Sequence, residues 1–256
     1  MSPQAFSECR NEAGLTSYEW LADTLSHLPS PTKIVDLACG DGYLIPLLQK
    51  KVGNVEIIGI DMSPAELTVA RCKNLGPSVA FLEAMAHKTG LEDNSIDAVV
   101  CHMAFMLMTP IEPVVAEIQR ILKPGGIFSA VIGNRPDTRG PLVTVRETVG
   151  KFMHKEFPKM AAPVTGDPRV ESEDGLSEII RPLKMLGVRD DQFGVNVEPG
   201  GFWNYIKNMY LVGLLSDEVR SRLEIAILAS LGKPTGMLRL DSPMRRFTAE
   251  KMPWPR

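Results

Sequence analysis

Apolar and polar positions along this chain follow two periods that alternate in order. Lys33–Ala38 is a short, nearly continuous apolar run, and Glu56–Ile60, Val79–Glu83, Ala98–Cys101 and Ile127–Ile132 repeat that form, as strands buried on both faces do. Helical spacing separates them. Residues 42–51 and the segment from Pro64 onward follow the first two strands, and Ile111–Leu122 places Val114, Val115, Ile118, Ile121 and Leu122 on one side. The spacing predicts a leading helix over Tyr18–Leu28, with Leu21, Leu25 and Leu28 on one face and Pro29 and Pro31 ending it. Strands and helices in this alternation build a parallel, doubly wound α/β sheet.

The second half departs from that rhythm. Residues 133–187 are too long for a plain crossover. They hold an amphipathic helix from Leu142 to Phe157, a proline-rich acidic loop, and a predicted helix over Leu176–Leu186 with Gly187 as its stop. Val188–Val197 reads as strand six, Phe202–Leu215 and Asp217–Leu231 as helices, and Met237–Ala249 as strand seven. The expected division is 1–132 for the leading helix and core, 133–187 for a helical cap, and 188–256 for completion of the sheet. The segment Gly133–Gly187 suits a lid, and its stretch Asp167–Gly175 is expected to be cut by proteases without ligands and protected when product cofactor and substrate are both bound.

Candidate chemistry begins at the end of the first strand. Lys33 to Leu44 reads KIVDLACGDGYL: an apolar run, a carboxylate at Asp36, then a turn on Gly40 and Gly42. A strand that breaks into a glycine turn and a helix forms a nucleotide crevice in open α/β sheets. A dinucleotide fingerprint needs a third small residue three positions after the second glycine, where this chain has Ile45. No Lys-Ser/Thr pair follows the glycines, which excludes a phosphate-cradling NTPase loop. An acid with little provision for phosphate suits a cationic nucleoside. Asp61 closes the second strand, where an acid takes ribose hydroxyls, and Ser63-Pro64-Ala65-Glu66 reads as a capping box that starts the next helix.

The segment DLACGDG resembles motif I of the class I S-adenosylmethionine (SAM)-dependent methyltransferases, with Ala38 in place of the first motif glycine. The likeness runs from Tyr18 to Ile132. It takes in Asp61, the strand Asp97-Ala-Val-Val-Cys and the turn Leu122-Lys-Pro-Gly-Gly, and within the family it points to the ubiquinone/menaquinone-type small-molecule group. The resemblance implies a Rossmann-like sheet of seven strands with a final antiparallel hairpin and a helical cap insertion. It implies SAM as cofactor and S-adenosylhomocysteine as product, with no metal. Cofactor contacts are implied for Asp36, Ala38, Gly40, Gly42, Asp61, Met62, Met85, Ala86, Cys101 and His102. Met85 is a departure, because it stands where the family commonly carries an acid for the adenine amino group. The variable cap of the family implies a substrate wall from Tyr18, Arg135, Phe152, Met153, His154, Trp203 and Tyr205.

Composition narrows the partners. Net charge is −3 and the sequence pI about 5.9, which offers no broad basic field to nucleic acid or an anionic membrane. The Asn/Asp-Pro-Pro-Tyr motif of nucleobase methylation is replaced by Cys101-His102-Met103-Ala104. The four cysteines form no Cys-x-x-Cys pair or secreted framework, and the four histidines are scattered, so neither disulfides nor a metal site is expected. No signal-peptide pattern or apolar run of membrane length is seen, and a soluble, cytoplasmic monomer or homodimer is expected. The expected reaction is methyl transfer to a small, largely apolar or aromatic metabolite, of secondary or quinone-like metabolism. His102 is the candidate base, titrating near neutral pH. Two alternatives stand beside it: a SAM-binding relative that catalyses a non-methylating step such as cyclisation, and a non-catalytic cofactor-binding module.

Overall fold

A computed structural model describes residues 7–29, 32–134, 141–157, 166–198, 201–207, 212, 215–232 and 236–253. The chain divides into two compact units: Ser17–Gly133, Thr165–Asp190 and Met244–Arg256 form one, and Met1–Thr16, Asn134–Val164 and Asp191–Pro243 the other. The chain passes between them at Thr16/Ser17, Gly133/Asn134, Val164/Thr165, Asp190/Asp191 and Pro243/Met244. Residues 165–190 pack with the core unit.

The sheet strands are β1 (Thr32–Leu37), β2 (Val55–Asp61), β3 (Val79–Glu83), β4 (Ile96–His102), β5 (Leu122–Gly133), β6 (Lys184–Val197) and β7 (Leu238–Glu250). Their order is β3-β2-β1-β4-β5-β7-β6. The first five run parallel, β7 pairs antiparallel with β5, and β6 and β7 make the final antiparallel hairpin. The connections are α1 (Ser17–Ala22), α2 (Ile45–Val52), α3 (Pro64–Cys72), α4 (Glu112–Ile121), α5 (Pro141–Glu156), α6 (Glu173–Ile179), α7 (Phe202–Ile206) and α8 (Asp217–Ser230).

Strand order reverses between β1 and β4, so the crevice of this sheet opens at their carboxyl ends. Asp97 ties the opposite, amino-terminal ends of these strands. Its carboxylate accepts from Lys33 N (2.8 Å) at the start of β1 and from Lys123 Nζ (2.6 Å) on β5. Below the crevice the core packs as an organic solid. Phe105, Phe128 and Phe247 are fully buried with ring centroids 5.3–5.4 Å apart, and α4 lays Val114, Val115, Ile118 and Ile121 into the same cluster.

Three elements differ from their sequence reading. The leading helix ends at Ala22 and tightens into a 3-10 turn, Asp23–Leu25, where the Thr24 and Ser26 hydroxyls bond back to Leu21 O and Asp23 O. The helix expected over Leu176–Leu186 spans Glu173–Ile179, because Ser172 caps it early and Pro182 forbids its continuation. Gly187 lies inside β6 rather than at a helix end, and Leu186 is exposed. The third is Asp167–Gly175, which is pinned to the core unit rather than free. Arg169 pairs with Asp167, Glu112 and Glu178, Arg245 donates to Glu171 O, and Gly166 lies against the Met106 backbone.

The second unit has its own apolar cluster of Val145, Phe202, Ile206, Leu223, Ile227 and Leu240. Its amino-terminal segment pairs with β6 through Arg10 and Gly194.

Candidate functional site

Backbone geometry of the turn after β1 makes the site. Ala38, Gly40 and Gly42 all take positive φ (59°, 53° and 75°), so the chain coils tightly and its side chains are kept off the space it encloses. Ala38 is the one L side chain of the three, held at a conformation that costs about 1–2 kcal/mol. Cys39 N donates to Ile60 O at 3.0 Å, which ties the turn to β2. Gly59 permits this approach, since a Cβ there would meet Phe81 at 2.8 Å and Cys39 Sγ at 2.9 Å.

Asp61 is the second tie. Its Oδ2 accepts from Gly40 N at 2.8 Å and its Oδ1 from Ser63 N at 2.9 Å. Ser63 Oγ in turn accepts from Glu66 N at 3.3 Å, capping α3. The capping box expected from sequence is therefore only half made: Asp61, not Glu66, takes the Ser63 amide. Each Asp61 oxygen accepts one bond here, and a carboxylate oxygen has room for a second. The carboxylate is partly buried and joins the two glycine-turn strands in one constellation.

Asp36 differs from every other acid in the core unit. It is 2% exposed, and its Oδ2 is a buried polar atom with no hydrogen-bond partner among the described residues. Burial, with the Asp61 and Asp41 carboxylates beside it, pushes its pKa up to about 8. An orphaned buried oxygen is costly unless something fills the gap. The chemistry of this one fits a bound cation, and the positive-φ cradle next to it fits the methionine end of SAM.

His102 ends β4 on the other side of the crevice. Its Nε2 lies 2.9 Å from Ser17 Oγ, and its ring stacks on Tyr18 with centroids 3.7 Å apart and planes 22° from parallel. Tyr18 is itself braced by Tyr43 at 4.7 Å. Burial drives the imidazolium pKa down to about 3, so the ring is neutral at physiological pH and does not titrate near pH 7. Cys101, fully buried, is pushed up to about 12 by the same cause, with Asp36 adding to it. Both Cys101 and Cys39 are held as thiols.

The structure thus brings Asp36, Ala38, Gly40, Gly42, Asp61, Cys101, His102 and Tyr18 into the core unit at the carboxyl ends of β1, β2 and β4. Met62 and Met85 stand out from its surface at 65% and 45% exposed, so Met85 is not a core methionine. Ala86 is partly buried against the core. The candidate substrate residues of the other unit are placed differently. Phe152 and Trp203 pack on that unit's apolar cluster, Met153 is partly buried, His154 is exposed, and Tyr205 lies in α7. Arg135 falls outside the described residues. Ser17 was missed in the sequence. A lone serine opening a helix carries no pattern, and only the fold shows that His102 lies opposite it.

Among the described residues no cluster of three or more His, Cys, Asp or Glu has metal-site geometry, and no helix is long and apolar enough to cross a membrane.

A doubly wound sheet with a glycine turn and an orphaned acid at its switch point defines a nucleotide-cofactor protein of the Rossmann-like class. Residues 34–126 match the family described as "Methyltransferase domain", which supports a class I SAM-dependent methyltransferase family for this segment. A demethylmenaquinone methyltransferase of Thermus thermophilus is 36% identical over 99 residues, covering 38% of this chain and 45% of the relative. The ubiquinone/menaquinone biosynthesis C-methyltransferase UbiE of Campylobacter jejuni is 30% identical over 126 residues, covering 47% of this chain and 53% of the relative. The chain thus spans about half the length of these relatives. A solved structure of geranyl diphosphate methyltransferase in complex with SAM superposes with a TM-score of 0.54 at 17% identity, covering 92% of this chain and 84% of that one.

Proposed function

We propose that this protein transfers a methyl group from SAM to a small, largely apolar or aromatic acceptor. The observation that carries the reading is the buried, unpartnered Oδ2 of Asp36 beside the glycine turn. Supporting it are the methyltransferase-domain match and relatives named as quinone methyltransferases, one of the solved neighbours being a SAM complex.

When bound, the cofactor supplies an electrophilic methyl on a sulfonium, and the reaction is an in-line displacement governed by alignment. The chain's own residues do the rest. Asp36 holds the cationic methionine portion, and Ala38, Gly40 and Gly42 keep side chains clear of it. Asp61 offers its remaining lone pairs to the ribose hydroxyls, while Met62, Met85 and Ala86 flank the base. Tyr18 and His102 stand on the acceptor side and help exclude water. Phe152, Met153, His154, Trp203, Tyr205 and Arg135 are kept as acceptor candidates on the family resemblance alone. The acids Asp41 and Asp61 beside Asp36 favour a cation, which ionises Asp36, over a dinucleotide phosphate.

The test is calorimetric titration with SAM, S-adenosylhomocysteine and NADPH, followed by transfer of labelled methyl to reduced demethylmenaquinone. SAM is expected to bind in the micromolar range, about −7 to −9 kcal/mol, with label appearing in the quinone product. NADPH binding without a SAM response would remove the reading. SAM binding with no transfer to any acceptor would favour the cyclase-type or non-catalytic alternative.

A further inference from the structure

We propose that Ser17 is a positioning residue: its hydroxyl donates to His102 Nε2, fixes the proton of the neutral ring on Nδ1, and makes His102 a hydrogen-bond donor to the methyl acceptor, not its base.

Ser17 is fully buried, and its Oγ lies 2.9 Å from His102 Nε2. A hydroxyl and one ring nitrogen share a single bond, and the tautomer decides which supplies the proton. No other acceptor for the Ser17 hydroxyl is found among the described residues, so a bond donated by the ring would leave the hydroxyl proton buried without a partner. That penalty favours donation by Ser17 by roughly tenfold or more. A ring that accepts at Nε2 and is neutral carries its proton on Nδ1.

The ring also cannot turn to escape this choice. Tyr18 stacks on it at 3.7 Å, and Tyr43 packs behind Tyr18. The low pKa of the ring agrees with a neutral form throughout the physiological range. Nδ1 makes no bond among the described residues, and it is not a sealed atom: Asp36 Oδ2 is the buried side-chain atom without a partner. Nδ1–H is therefore the group that His102, at the carboxyl end of β4, holds available for a ligand.

Chemistry follows from the tautomer. A ring whose one free lone pair is occupied by Ser17 takes no proton from the acceptor. It stabilises an oxygen that is already negative or becomes so, as in a phenolate, an enolate or a carboxylate. The ligand assignment rests on the methyltransferase reading above, whereas the tautomer does not.

The full chain labelled uniformly with 15N decides the matter at pH 7, because NMR separates a protonated ring nitrogen from a bare one. His102 is expected to show protonated Nδ1 and bare Nε2. Ser17→Ala should shift the tautomer ratio at least about tenfold toward Nε2–H, and Ser17→Thr should restore it. A wild-type ring protonated at Nε2, or a ratio unmoved by Ser17→Ala, overturns the proposal, and the wild-type spectrum decides alone if the variant does not fold. With S-adenosylhomocysteine present, 4-nitrophenolate should move the Nδ1–H resonance; an unmoved resonance overturns the donor role. In the same sample the Gly40 and Gly42 amides report cofactor binding. If they stay still the methyltransferase reading fails while the tautomer result stands.

Discussion

Replacing Asp36 with asparagine tests the site most directly, because its burial beside Asp61 and Asp41 gives the sign of the effect. Folding raises the Asp36 pKa from 3.8 to about 8, so between those values the folded chain binds a proton that the unfolded chain has lost. Stability of the ligand-free protein therefore falls as pH rises from about 4 to 8 and levels above that. At pH 7 the penalty is about 4 kcal/mol, from roughly three pKa units at 1.36 kcal/mol each. A cation beside Oδ2 reverses the preference, since it binds the ionised carboxylate. SAM affinity should then strengthen nearly tenfold per pH unit from about 5.5 to 7.5, with close to one proton released per molecule bound at the lower end. Calorimetry in two buffers of different ionisation heat counts that proton. Asp36→Asn should remove the pH dependence, raise ligand-free stability at pH 7, and weaken SAM by about 2–5 kcal/mol, roughly thirtyfold to several-thousandfold. Equal SAM affinity in wild type and variant, flat across this pH range, would refute the reasoning and leave the orphaned oxygen unexplained by the cofactor.

Other perturbations probe the same constellation. Asp61→Ala should weaken SAM and also destabilise the ligand-free protein by about 2–4 kcal/mol, since it strips acceptors from the Gly40 and Ser63 amides; thermal melting of the apo form reads this. Ala38→Gly should raise apo stability by about 0.5–1 kcal/mol, the left-handed cost less the entropy of glycine, and a lowered melting temperature would contradict the backbone reading. His102, lowered to about 3, gives the opposite pH sign to Asp36: stability is lost as pH falls below about 6.5, and His102→Gln should flatten that limb of the stability profile. Turnover should be level between pH 5.5 and 8 with respect to this ring. Limited proteolysis should leave Asp167–Gly175 intact without ligand, and Arg169→Ala should open it to cleavage by freeing Asp167, Glu112 and Glu178.

How much of this was legible in the sequence depended on whether the signal was periodic or relational. The sheet was, because runs such as Ile34–Leu37 and Ile57–Ile60 are buried on both faces and their spacing admits few topologies. The turn on Gly40 and Gly42 and the strand-end placement of Asp36 and Asp61 were legible for a related reason: turn chemistry and strand ends are local features. The errors lie where a local pattern met a tertiary competitor. Leu176–Leu186 has helical spacing, yet Pro182 and the pairing of β6 take its second half into the sheet. Asp167–Gly175 has a lid's composition of proline, glycine and acids, but a single arginine holding three carboxylates makes it a clasp. Asp61 shows the limit most sharply. In the sequence it reads as a ribose contact, with Ser63 starting the next helix, and on that view its removal would leave the empty protein untouched. In the fold it accepts the Ser63 amide at the start of α3 and the Gly40 amide of the motif turn at once, with lone pairs to spare. Whatever the ligand does there, it does through a carboxylate that already sets the shape of the turn, so stability and cofactor affinity are coupled at this residue and must be measured together.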